Sequence, residues 1–131
     1  MIHPICLTID WRDADCDIPE AQQEAFTQSV FRSLRSHSAI QTIARVPDPD
    51  VPTGGMGAQW LWNILTAEIP GDGLREACRE ALGQLEGKPM KFKLEVNQQT
   101  KIIEVEDVSP ADFDRVLDKL VAAAKEINSA S

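Results

Sequence analysis

From Met90 to Val96 the residues alternate without a break: Met90, Phe92, Leu94 and Val96 are apolar, and Lys91, Lys93 and Glu95 are charged. Side chains along a strand point to opposite faces in turn, so this segment is a half-buried strand. The polar run Asn97-Gln98-Gln99-Thr100 then turns the chain into a second strand over 101–106, which makes the pair a hairpin. After it comes the segment with the clearest helix signals. Ser109 stands as its cap, Pro110 as its first residue, and Asp112 where a carboxylate suits the helix dipole. Its apolar stripe runs Phe113, Val116, Leu117, Leu120, Val121, Ala124 and Ile127.

The N-terminal half starts in the same way. Ile5, Leu7 and Ile9 alternate with Cys6, Thr8 and Asp10, which predicts a first strand. Asp17, Pro19 and Glu20 open a helix with an acid-x-x-Glu capping pattern, and Phe26, Val30 and Leu34 form its stripe. A second strand follows over 40–46. Two strands joined by a helix predict a crossover and a parallel pair.

Residues 47–57, Pro-Asp-Pro-Asp-Val-Pro-Thr-Gly-Gly-Met-Gly, form an internal loop rich in proline and glycine. The run over 58–69 reads as a short helix whose apolar arc is about 200° wide, because Trp60 and Trp62 flank Leu61, Leu65 and Ile69. That exceeds the stripe of about 100° that a surface helix buries. A further helix spans 74–85. The expected fold is a single small α/β domain (mixed α+β) over 1–131, in the order β-α-β-α-α-β-β-α, with a parallel β-α-β pair and a C-terminal hairpin plus helix.

The charges restrict partners. The chain carries a net −8, with Asp10, Asp13, Asp15, Asp17 and Glu20 crowded at one end and Glu104, Glu106, Asp107, Asp112, Asp114 and Asp118 at the other. Such a surface repels a phosphate backbone, so neither nucleic acid nor an anionic membrane is an expected partner. A partner steered by charge would be basic. No apolar run reaches the length of a membrane span, and the N-terminus lacks the pattern of a signal peptide, so the expected location is cytoplasmic.

Catalytic and metal motifs are sparse. Cys6, Cys16 and Cys78 form no CxxC, and His3 and His37 have no metal or nucleophile context. Asp13, Asp15 and Asp17, with Glu24 at the twelfth place, partly match a calcium loop, but Ile18 stands where that loop needs glycine. Gly54-Gly55-Met56-Gly57 leads into the apolar run without the Gly-Lys-Ser/Thr of a phosphate-binding loop. No catalytic residue, cofactor or metal is therefore expected. The apolar run is either sandwiched between the sheet and the next helix or leaves one Trp edge exposed. In the second case the residues that stand out for partner binding are Gly54, Gly55, Met56, Gly57, Trp60 and Trp62, since an exposed aromatic edge next to an exposed turn marks a partner surface. Surface left over on the apolar run and the hairpin also leaves room for a homodimer.

Several features in a fixed order carry a resemblance: the helix over 22–35, the strand ending Ala44-Arg45-Val46, the proline-rich run and Gly54-Gly55-Met56-Gly57-Ala58. The apolar run, the strand over 91–96 and Ile103-Glu104-Val105 with its closing helix complete it. Over about 20–125 the chain resembles the effector-associated constant component proteins of bacterial conflict systems. The resemblance implies a non-catalytic adaptor or signalling component that binds a protein effector, peptidase or caspase-like, in bacterial immunity. The alternative is an acidic inhibitor of the immunity-protein type, occupying a basic site on a toxin or enzyme.

Overall fold

The computed structural model describes residues 4–14, 18–47, 60–85, 87–106 and 109–130. Five strands, β1 (Ile5–Asp10), β2 (Thr42–Pro47), β3 (Trp60–Ile69), β4 (Met90–Val96) and β5 (Gln99–Val105), form one sheet in the order β2-β3-β1-β4-β5. The helices are α1 (Glu20–Arg35), α2 (Leu74–Gln84) and α3 (Phe113–Ala130). The order is thus β-α-β-β-α-β-β-α.

The fold is mixed α+β, as the patterns predict, but two expectations need correction. The expected parallel β-α-β pair is absent: every neighbouring pair in the sheet is antiparallel. The helical crossover does carry β1 and β2 in the same direction, yet β3 lies between them and runs the opposite way. In the same manner α2 joins β3 to β4 with β1 between them. A helix between two strands fixes their relative direction; it does not fix which strand is inserted between them.

The second correction concerns the apolar run after the glycines. Where a helix over 58–69 is expected, Trp60–Ile69 forms the interior strand β3, which pairs with β1 from Ile5↔Ile69 to Asp10↔Ile64 and with β2 on its other side. Leu65, Ala67 and Ile69 alternate with Ile64, Thr66 and Glu68, and the residue types suit a strand. An apolar run this short fits either period, and long-range pairing decided between them. Near its start β3 is irregular: the three residues of β2 from Arg45 to Pro47 oppose the longer stretch from Leu65 back to Trp60. Asn63 lies in the left-handed region there, with φ 60°. Asparagine tolerates that conformation better than most residues.

One face of the sheet carries the core. Ile5, Leu7 and Ile9 of β1, Leu65 and Ile69 of β3 and Phe92 and Leu94 of β4 are buried with Val30 and Leu34 of α1, Cys78 and Leu82 of α2 and Leu117 and Leu120 of α3. Trp11, just past β1, is fully buried and meets Phe26 edge-on, with centroids 6.2 Å apart. Between α1 and α2 the chain passes so close to Gly73 that a side-chain carbon there would lie 3.2 Å from both the Cβ and the carbonyl oxygen of Ala39.

Helix ends differ in detail from expectation. Pro19, not Asp17, caps α1, and its carbonyl accepts the N–H groups of Gln22 and Gln23. Asp17 itself lies outside the described residues. Pro110–Asp112 forms a 3₁₀ turn ahead of α3, and the Ser109 hydroxyl donates to the Asp112 carboxylate at 3.1 Å instead of capping the backbone. The buried stripe of α3 is Val116, Leu117, Leu120, Ala123, Ala124 and Ile127.

Candidate functional site

Because the helices and the core occupy one face, the other face of the sheet carries no helix among the described residues. The strand registers assemble it from residues that sequence alternation places outward but cannot bring together. One row across the strands is Ala44, Thr66, Thr8, Lys93 and Ile102. The next is Ile64, Asp10, Lys91 and Glu104, and on the other side lie Glu68, Cys6, Glu95 and Thr100.

The middle of this face is a shallow depression of about 440 Å³, bordered by Thr8, Val46, Ile64, Thr66, Lys93 and Ile102. Its apolar members come from opposite edges of the sheet. Ile102 of β5 is 61% exposed, the one large apolar side chain so placed among the described residues. Ile64 is buried, yet it stands apart from the helix-covered core. Thr66 and Cys6 touch through Oγ1 and Sγ at 3.6 Å.

The charges on this face are largely tied. Arg12 chelates Asp10, with Nε to Oδ1 at 3.1 Å and Nη2 to Oδ2 at 2.9 Å, and the Arg12 backbone N–H donates to Oδ1 at 3.0 Å. Burial pushes the Asp10 carboxyl up, but the hydrogen bonds and charge of Arg12, together with Lys91, outweigh it and hold the group below its ordinary value. Lys91 lies 3.6 Å from Asp13 and 4.0 Å from Glu104. Lys93 has no ion-pair partner among the described residues.

Beyond this face the fold also gathers bases onto the acidic stretches. Arg75 of α2 reaches Asp118 at 2.7 Å and Asp114 at 3.5 Å, and Arg79 reaches Asp114 at 3.1 Å. Acids that look unopposed along the chain are therefore opposed in space. Glu24, the proposed closing ligand of a calcium loop, is bound by Arg45 at 2.6 and 2.8 Å. That hydrogen bonding, against a smaller opposing effect of burial, keeps its carboxyl below the usual range. Asp13 pairs with Lys91, while Asp15 and Asp17 lie outside the described residues.

Gly54, Gly55, Met56 and Gly57 also lie outside the described residues. Trp60 and Trp62 belong to β3, so the reading of two tryptophans flanking a helical arc is corrected to two positions on a strand. The face described above was missed because alternation identifies outward residues strand by strand, whereas their alignment depends on register. Among the described residues no group of three or more His, Cys, Asp or Glu is arranged to hold a metal ion. No described helix is long and apolar enough to cross a membrane.

Comparisons with protein families, curated proteins and solved structures return no match. The geometry of the helix-free face therefore carries the functional reading, together with the resemblance read from sequence.

Proposed function

We propose that this chain is a non-catalytic docking module that presents the helix-free face of its sheet to a protein effector. The observation behind the reading is that face itself: Val46, Ile64 and Ile102 around a floor of Thr8 and Thr66, with the unpaired Lys93 beside them. An apolar and hydroxyl-bearing surface with few uncommitted charges is composed as the centre of a protein interface is composed. The peptidase or caspase-like class of the effector comes from the family resemblance. Lys93 asks for a carboxylate on the partner, while the net charge of −8 favours a partner that is basic around it. The acidic-inhibitor alternative draws less support, because Asp114 and Asp118 already have arginine partners.

The test is calorimetric titration with the effector encoded by the neighbouring gene, using Thr8→Arg and Thr66→Arg. These residues face each other in register at the centre of the depression. Each variant is expected to keep its circular dichroism spectrum and to weaken binding by about tenfold or more, as a bulky charge in an interface centre does. Folded variants that bind like the parent protein would remove this face from the interface.

A further inference from the structure

We infer that β5 is a self-pairing edge through which two copies of this chain join their sheets. Asn97 and Gln98 both have positive φ, 47° and 71°, and they close a two-residue turn between Val96 and Gln99. In such a hairpin the residues flanking the turn bond each other, and hydrogen-bonded pairs recur at every second position. Gln99, Lys101, Ile103 and Val105 therefore spend their backbone groups on β4. Thr100, Ile102 and Glu104 direct theirs away from it, and β5 is the last strand of the sheet. A row of unpaired backbone groups is a template for another strand.

The side chains on both layers fit a second copy of the same edge. An antiparallel partner centred on Ile102 sets Ile102 against its own equivalent, so that two exposed apolar side chains cover each other. The same register sets Thr100 opposite the partner's Glu104, a hydroxyl opposite a carboxylate, and does so twice by symmetry. On the helix layer, Lys101 binds Glu126 at 2.5 Å, so the C-terminal part of α3 lies beside the first half of β5. Between α3 and the strand lies a groove of about 540 Å³, where Lys119, Ala122, Ala123 and Glu126 follow one another along the helix.

Ala122 stands at the middle of that row and is exposed, beside Ala123, which is buried against the core. The small side chain of Ala122 lets a second helix approach. A two-fold axis through Ile102 then sets Lys119 against the partner's Glu126 and repeats the pair in reverse. Lys119 has no ion-pair partner among the described residues of its own chain. A surface patch that is its own complement about one axis is the requirement of a two-fold dimer. Ile102 belongs to both this edge and the docking face, whereas Lys119 and Glu126 lie on the helix layer, so exchanging those two charges tests the dimer without touching the residues of the effector reading.

Sedimentation equilibrium should show a species of twice the 14.5 kDa chain mass that dissociates on dilution. Lys119→Glu and Glu126→Lys, singly, should each raise the dissociation constant by about tenfold, since each breaks two symmetric exposed pairs. The double exchange should restore the dimer relative to Glu126→Lys. A second measurement fixes the register. With Cys6 and Cys16 replaced by serine, Ile102→Cys should form an intermolecular disulfide on mild oxidation, because its Cα would lie about 5.5 Å from its equivalent. Thr100→Cys should not. A chain that stays monomeric at millimolar concentration overturns the proposal. So does a dimer indifferent to both charge changes, or one that cross-links equally well through Thr100. An edge reserved for an extended segment of another protein would appear as the first of these outcomes.

Discussion

The Thr27 hydroxyl accepts the backbone N–H of Asn63 at 2.9 Å and gives its own proton to the Gln23 carbonyl at 2.7 Å. A helix of the cover and the irregular start of β3 are thus held together by one buried oxygen. Asn63 completes the arrangement: its carbonyl accepts the Trp11 N–H at 2.8 Å, and its side-chain amide donates to Gln23 at 3.0 Å. Asn63 is 1% exposed and Thr27 fully buried, so each of these groups needs its partner.

Thr27→Val preserves the shape of the side chain and leaves the Asn63 N–H buried without an acceptor. The expected loss is about 1–3 kcal/mol in urea unfolding, with Thr27→Ser recovering most of it. If the valine variant stays within about 0.5 kcal/mol of the parent, the ordinary range for a harmless change, the network is not what holds β3 to α1.

The Glu24–Arg45 pair sets an acid limit on stability. Arg45 lowers the folded-state pKa of Glu24 below its ordinary 4.5, and Arg12 and Lys91 do the same to Asp10 below 3.8. A depressed carboxyl stabilises the fold above its unfolded-state pKa, and this contribution disappears as pH falls through the folded-state value. Urea midpoints should therefore be flat near neutrality and fall below about pH 5. Glu24→Gln should lower the neutral midpoint and shrink that acid slope; an unchanged slope would show that the pair contributes nothing to it.

Phe92 and Ile102 sit on neighbouring strands and should respond in opposite ways. Phe92 is fully buried beneath the helices, and Phe92→Ala is expected to cost about 3–5 kcal/mol. Ile102 is exposed, and Ile102→Ala should change monomer stability by less than about 0.5 kcal/mol. Thermal unfolding of the two variants at low concentration compares them directly.

Cys78 should be inert in the folded chain. Burial in the apolar core pushes its thiol up to about 12 and removes it from solvent. Since the thiolate is the reactive species, alkylation followed by mass spectrometry should label the half-buried Cys6 first and reach Cys78 only at the rate of unfolding. Early labelling of Cys78 would mean that α2 opens locally.

Several parts of the fold were determined by sequence alone. The alternation in β1 and β4 and the periodic stripe of α3 each specify a local period and a buried side, and the structure agrees, except that Phe113 and Val121 are half-buried and Ala123 is buried. The polar run Asn97–Thr100 marked the hairpin, although the turn itself is only Asn97-Gln98 and β5 begins at Gln99. These signals work because side-chain direction along a regular element follows from backbone geometry, whatever the rest of the chain does.

Tertiary structure alone decided the rest. Trp60–Ile69 is apolar enough for either a helix or a strand, and pairing with β1 and β2 made it a strand. Those partners lie far away along the chain, so no local window contains them. The insertion of β3 between β1 and β2 turned an expected parallel pair into an antiparallel sheet for the same reason. The helix-free face was likewise invisible, since Thr8, Thr66, Lys93 and Ile102 become neighbours only through three separate strand registers. Local geometry says which way a side chain points; only long-range pairing says what stands beside it.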